Sequence, residues 1–307
     1  MPTTFIQILE TASTTGEPII IDGGLGTALE SRGIDLSHEL WSAALLRDAP
    51  ETLAEVHADF IRAGARIVTT ASYQATPLGF ERASIPAEEG RRLVERSVVI
   101  ARRAADSANG RVLIAGSVGP YGAALGDGAE YTGDYHLSDA EFADFHRPRI
   151  EALVSAGADL LAIETQPRLP EVRVLAALAD EYGIPAWLSV TLADGGHMAD
   201  GTPLTDLAEA VAGSAMIRAL GVNCVRPSLV LPALDALAST TDRPLIAYPN
   251  SGEVYDAATM DWHEGASFDT SPAALAPWVT AGARLIGGCC RTTPADIDGL
   301  ARALLRI

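Results

Sequence analysis

Ala281-Gly282-Ala283-Arg284-Leu285-Ile286-Gly287-Gly288-Cys289-Cys290 joins a small-residue turn, a short apolar run, two glycines and a pair of cysteines. Its opening Ala-Gly-Ala recurs at Ala63-Gly64-Ala65 and Ala156-Gly157-Ala158, each time ahead of another apolar run, and reads as a repeated helix-to-strand turn. Runs of the same kind span Pro18 to Gly23, Arg66 to Ala71, Val112 to Ser117, Asp159 to Thr165, Ala186 to Leu192, Ile217 to Cys224, Pro244 to Asn250 and Arg284 to Cys290. These eight are mostly continuous Val/Ile/Leu/Ala stretches without polar alternation, the signature of parallel strands covered on both faces.

Helical patterns fill the intervals. From Glu88 to Ser107, Val94, Val98, Ala101 and Ala105 recur on one face. Ser138 with Glu141 forms a capping box, and Thr293-Pro294-Ala295-Asp296 places a cap, a first-turn proline and a first-turn acid before the last helix. Pro148 and Pro277 fall inside two helical stretches, where a kink or restart is expected. Eight strands alternating with helices over 307 residues fit a (β/α)8 barrel of the TIM type, whose usual length is ~250 residues plus insertions. An open doubly wound sheet is the alternative. No linker, low-complexity tract or charge block divides residues 1–307, which read as a single domain.

The three cysteines are Cys224, Cys289 and Cys290, each closing an apolar run. In a barrel they stand at the carboxyl ends of strands six and eight, the face where barrel active sites gather. Neighbours on a regular strand point to opposite faces, so Cys289 and Cys290 can share a metal only where the strand gives way, and Gly287 and Gly288 supply that freedom. A structural zinc site has four protein ligands, whereas three leave a position for water or substrate. Core packing accounts for single buried cysteines equally well, and a strained vicinal disulfide is a further alternative.

Forty acidic against 22 basic residues give a net charge of −18, which disfavours nucleic acid and anionic lipid as partners. Every basic residue is arginine. The absence of lysine removes Schiff-base aldolases, pyridoxal-phosphate enzymes and P-loop nucleotide hydrolases. No apolar run reaches the ~18 residues of a membrane span and the start lacks a secretory pattern, so a soluble cytoplasmic protein is expected.

Other polar residues collect at the strand ends. Asp22 follows strand one in Asp22-Gly23-Gly24-Leu25-Gly26-Thr27, Gln74 follows strand two in Thr69-Thr70-Ala71-Ser72-Tyr73-Gln74, and Glu164 closes strand four. A carboxylate ending so apolar a strand needs a partner; with lysine absent, that partner is an internal arginine or an ammonium group on a substrate. The connection through Pro249-Asn250-Ser251-Gly252 to Tyr255, Trp262 and His263 has the length of a binding loop, as does the glycine-rich stretch from Gly116 to Gly133. His57 and His146 read as helix-face residues; His197 and His263 are left without a role.

Taken together, Asp22-Gly23-Gly24-Leu25-Gly26-Thr27, Thr70-Ala71-Ser72-Tyr73-Gln74-Ala75, Gly116-Ser117-Val118-Gly119-Pro120-Tyr121, Glu164-Thr165, Gly221-Val222-Asn223-Cys224 and Gly287-Gly288-Cys289-Cys290 closely resemble the zinc-dependent homocysteine S-methyltransferases. The resemblance spans nearly the whole chain, and its specific part is the Asn-Cys paired with Gly-Gly-Cys-Cys. It is strongest to the compact branch that uses S-methylmethionine, or less readily S-adenosylmethionine. The extension that betaine-using members carry for oligomerisation is not seen, nor are folate or cobalamin modules, and a monomer is compatible with this.

The resemblance implies that Cys224, Cys289 and Cys290 bind Zn2+, that Asp22 and Glu164 hold the homocysteine amino group, and that Gln74, Asn223 and Ser251 line the pocket. It also implies that homocysteine supplies the missing metal ligand and takes a methyl group from a sulfonium donor. Tyr255 or Trp262 is a candidate to contact that sulfonium by cation–π attraction, with loop packing as the equal alternative for either. Betaine or another donor, and a zinc hydrolase or lyase on the same barrel, are the competing functions. A thiol or zinc sensor would leave Asp22, Gln74 and Glu164 unexplained.

Overall fold

The computed structural model describes residues 4–35, 45–252, 254–256, 261–263 and 268–307. Eight parallel strands form one sheet: β1 (Ile19–Ile20), β2 (Ile67–Thr69), β3 (Leu113–Val118), β4 (Leu160–Gln166), β5 (Ala186–Val190), β6 (Ile217–Asn223), β7 (Leu245–Tyr248) and β8 (Ala283–Ile286). They are hydrogen-bonded in chain order from β2 to β8, and β8 pairs with β1 through Ile19–Leu285 and Ile20–Ile286. A parallel bridge between Ile21 and Ile67 links β1 to β2 and closes the (β/α)8 barrel. The expected runs are all present, but the end strands are shorter: β1 stops at Ile20 and β8 at Ile286, four residues before Cys290.

Helices pack outside because each strand buries both faces, as the apolar runs require. Inside, Ile67, Leu113, Ala115, Leu160, Ala162, Trp187, Ala219, Ile246 and Leu285 fill the barrel. Three alanines leave room for the indole of Trp187. The helix Phe5–Thr15 contributes Phe5 and Leu9 to the same cluster, and Phe5 meets Trp187 edge-on with ring centroids 6.5 Å apart.

Local signals hold. The helix Ala87–Asp106 buries Val94, Val98, Ala101 and Ala105, and both capping boxes form, at Ser138 with Glu141 and at Thr293 with Asp296. In each Ala-Gly-Ala turn the glycine takes a positive φ, 115° at Gly64, 84° at Gly157 and 106° at Gly282, a conformation other residues reach at a cost. Of the two outcomes expected at the internal prolines, a restart does not occur. Helices Asp139–Ser155 and Pro272–Thr280 run through Pro148 and Pro277 without a restart. One missing N–H costs less than is returned by burying Phe142 and Phe145 before Pro148 and Ile150 and Leu153 after it.

Among the described residues, two antiparallel strand pairs lie outside the barrel sheet, Leu192–Asp194 with His197–Met198, and Val254–Asp256 with Asp261–His263. The second is the expected long connection after β7; the side chains of Tyr255, Trp262 and His263 lie outside the described residues. Among the described residues no helix is long and apolar enough to cross a membrane.

Candidate active site

At the carboxyl end of the barrel, residues at the ends of most of the strands bring polar side chains to one cavity. Cys224 follows β6 with φ 53°, and Thr165, inside β4 just after Glu164, has φ 57°. Non-glycine residues rarely sit there, and such strain concentrates at functional sites. After β8, Gly287 and Gly288 run close under the neighbouring chain. A Cβ on Gly287 would collide with Ile21 Cγ1 and lie 2.7 Å from Asp22 O, and one on Gly288 would lie 2.7 Å from Thr292 Cβ. Neither glycine has a left-handed φ. They provide close approach rather than an unusual dihedral, which corrects the conformational argument for this pair. The turn is then pinned by Gly288 N–H to Asp22 O (3.0 Å), Cys289 N–H to Pro249 O (2.8 Å) and Ser251 N–H to Cys290 O (3.0 Å).

This geometry gathers the cysteines. The sulfurs of Cys224, Cys289 and Cys290 lie within 4.8 Å of one another, with Cys224 Sγ 3.5 Å from Cys290 Sγ. Zinc–sulfur bonds of about 2.3 Å in a tetrahedron set sulfur atoms about 3.8 Å apart, so the trio suits one ion. Its ionisation supports the same fit. Hydrogen bonds from Cys289 and Cys290 hold the Cys224 thiol well below its usual range, while the resulting thiolate pushes Cys289 and Cys290 well above theirs. Three packed thiols therefore shed one proton readily, and the other two need a cation. All three are free thiols, so the disulfide alternative is not realised.

Asp22, Glu164, Gln74, Tyr73, Glu130 and Tyr131 line the same cavity. Asp22 accepts from Thr69 N–H (2.7 Å) and Thr69 Oγ1–H (3.1 Å). Glu164 accepts from the Ser117 hydroxyl and from Tyr248 O–H at 3.1 Å. Neither carboxylate makes an ion pair among the described residues, so the internal-arginine alternative for Glu164 is not what the fold provides. Burial pushes Asp22 up to about 8 and Glu164 up to about 7, the response of carboxyls that lack a cation in a dry pocket.

Asn223 and Ser251 are placed otherwise than expected. Asn223 is fully buried beneath the cavity floor and absent from its lining. Its Oδ1 accepts from Thr165 N–H (2.7 Å) and Ser189 O–H (2.8 Å), and its Nδ2 donates to Thr165 Oγ1 (2.8 Å) and toward Cys289 Sγ (3.8 Å). It couples the strained residue of β4 to a sulfur on the far side of the barrel. Ser251 likewise stays out of the lining and meets the cysteine turn through its backbone.

Sequence reasoning missed Glu130 and Tyr131. They ride on a 3-10 turn, Ala129–Tyr131, inside the glycine-rich stretch after β3, and Tyr131 Oη lies 3.5 Å from Cys224 Sγ. Burial raises Glu130 to about 7. Their position after a barrel strand was the only available signal. Of the histidines, His57 and His146 sit on helices but are buried, and His197 pairs with Asp194 on an exposed hairpin, its Nδ1 2.9 Å from Oδ1.

Known proteins share this fold along nearly the whole chain. Residues 19–304 match the homocysteine S-methyltransferase family. A homocysteine S-methyltransferase of Escherichia coli is 49% identical over 290 residues, covering 92% of this chain and 94% of its own. The homocysteine S-methyltransferase YbgG of Bacillus subtilis is 43% identical over 293 residues, covering 92% and 93%. The crystal structure of the homocysteine methyltransferase MmuM from Escherichia coli in its metallated form superposes with TM-score 0.86 at 46% identity, covering 96% of this chain and 99% of that one. The chain belongs to the homocysteine S-methyltransferase family.

Membership makes it a methyltransferase. The relatives' coverage is nearly end to end, so the correspondence extends over the whole barrel rather than one half of it.

Proposed function

We propose that this protein makes methionine by moving a methyl group from a sulfonium donor, S-methylmethionine or less readily S-adenosylmethionine, to the sulfur of homocysteine, with residues 1–307 acting as one unit. The observation that carries this reading is the placement of three converging thiols beside two buried carboxylates that make no ion pair among the described residues.

Cys224, Cys289 and Cys290 would hold Zn2+. A zinc ion on three thiolates supplies the charge that keeps a fourth, substrate sulfur ionised at neutral pH. Asp22 and Glu164 bind and orient the homocysteine ammonium, with Thr69, Ser117 and Tyr248 fixing the carboxylate oxygens. Asn223 keeps Thr165, and so Glu164, in register with Cys289. Gln74 completes the substrate surround, and Ser251 supports the cysteine turn through its backbone.

The thiolate lone pair forms the new S–CH3 bond as the donor's S–CH3 bond breaks toward its own sulfur. The donor sulfonium charge is cancelled, and no proton moves in that step. A dry site favours this neutralisation, and holding two sulfurs around one methyl supplies several kcal/mol of the barrier reduction. A hydrolytic use of the barrel would want a carboxylate positioned as a base for water, whereas both Glu164 oxygens already accept hydrogen bonds. Homocysteine offered with S-methylmethionine, S-adenosylmethionine, betaine and methyl-folate tests the reading. Methionine is expected with the two sulfonium donors; its formation from methyl-folate or betaine alone would refute it.

A further inference from the structure

The glycine-rich excursion after β3 is clamped by a single buried carboxylate. Glu171, fully buried on the helix Leu169–Tyr182, accepts from Tyr121 N–H (2.6 Å) at one end of the excursion and from Tyr135 O–H (2.5 Å) at the other. His146 Nε2 lies 2.8 Å from the same carboxylate, and Arg149 reaches His146 Nδ1 at 3.0 Å while donating to Tyr73 O and Gly119 O, each at 2.6 Å. The turn that carries Glu130 and Tyr131 is thus held over Cys224 by a network rooted in two helices.

Two acceptors in this part of the cavity are left without a donor. Glu130 Oε2 is shielded from solvent and has no hydrogen-bond partner among the described residues. Gln74 commits its Nε2 to Ala123 O (3.3 Å) on the same excursion, which leaves its Oε1 buried and equally unpaired. Buried acceptors of this kind cost free energy until a donor arrives. The homocysteine ammonium already has Asp22 and Glu164, so a second N–H-bearing cation is called for.

Resting on the sulfonium-transfer reading above, we propose that Glu130 and Gln74 form a second ammonium clamp, which binds the α-amino group of the methyl donor and restricts the donor to amino-acid sulfoniums. The ammonium is the productive pole. A carboxylate paired with the sulfonium would lose its partner as the methyl leaves and would favour the ground state, whereas the ammonium keeps its charge throughout. Betaine is rejected because its quaternary nitrogen carries no N–H, and methyl-folate because it brings anionic charge.

The test is calorimetric titration of zinc-loaded protein with S-methylmethionine and with its des-amino analogue. Wild-type protein should bind S-methylmethionine at least tenfold more tightly than the analogue, and Glu130→Gln should abolish that preference while leaving zinc content and homocysteine affinity unchanged. Glu130→Asp, which keeps the charge, should retain most of the preference, and Gln74→Met should lose part of it. In turnover, Glu130→Gln should raise KM for S-methylmethionine tenfold or more with kcat at saturation within twofold of wild type. Binding of S-methylmethionine by Glu130→Gln within twofold of wild type, an equal loss of homocysteine affinity, or no binding by wild type would overturn the clamp. Wild-type binding without methionine formation would instead overturn the proposed reaction and leave the clamp to be judged by the titration.

Discussion

Replacing Asn223 with alanine tests whether the metal-ligand geometry is built from below. The side chain is fully buried and makes hydrogen bonds to Thr165 N–H (2.7 Å), Thr165 Oγ1 (2.8 Å) and Ser189 Oγ (2.8 Å). Ser189 can turn to Tyr248, whose Oη is 2.6 Å away, but Thr165 N–H has no other partner nearby. One orphaned buried donor costs about 1–3 kcal/mol. The left-handed backbone of Thr165 stores ~1–2 kcal/mol, and its relaxation once the amide is gone offsets part of that cost. A loss of about 2 kcal/mol follows, which at ~2 °C per kcal/mol for a large domain is a melting temperature lower by about 4 °C. Loss of such a support to a metal ligand typically lowers metal affinity or activity about 10–100-fold. Differential scanning calorimetry with zinc analysis reads both effects. Asn223→Asp should keep more stability than alanine, since Oδ1 survives, yet lose more zinc, because a carboxylate then faces Cys289 Sγ. An alanine variant with wild-type melting temperature and zinc occupancy would refute the reasoning.

Glu164→Gln should weaken homocysteine binding at least tenfold while zinc content stays near one per chain; loss of zinc instead would move Glu164 from substrate binding to the metal's support. In zinc-free protein, Asp22 rises in the fold from 3.8 to about 8, so its contribution to stability is complete below the lower value and is lost as pH climbs toward the upper. Thermal stability of the zinc-free form should therefore decline between pH 5 and 8, and Asp22→Asn should flatten that slope; an unchanged slope would show that Asp22 does not cause it. Homocysteine binding in that same range should release protons as the ammonium draws both carboxyls into their ionised form, which titration in buffers of different ionisation enthalpy detects. Cys289→Ala, or treatment with a chelator, should abolish methyl transfer, and zinc should restore only the chelated wild type.

The fold was legible because the barrel repeats one device. Ala-Gly-Ala turns with a positive-φ glycine, continuous apolar strands and capped helices are local features, and each recurs often enough to fix the architecture. The convergence of Cys224, Cys289 and Cys290 was legible from their place at strand ends on one rim of the barrel. What escaped depends on contacts between strands distant in sequence. Nothing near Asn223 announces that its amide reaches across β4 and β5, and the resemblance placed it in the pocket rather than beneath it. Glu130 lies in a tract whose glycines indicate a loop without saying which residue the loop delivers to the cavity. His146 looked like an ordinary helix-face residue because its partner Glu171 sits on the next helix, 25 positions away. The continuous helix through Pro148 shows packing overriding a local rule.

The central claim is that the cysteine trio holds a zinc ion whose remaining position is taken by homocysteine sulfur. X-ray absorption at the zinc edge, recorded on the purified protein before and after homocysteine is added, tests it most directly. The account predicts three sulfur neighbours at about 2.3 Å with one lighter ligand before addition, and four sulfur neighbours after it. A shell that stays at three sulfurs with saturating homocysteine, or a protein that holds no zinc, would contradict it.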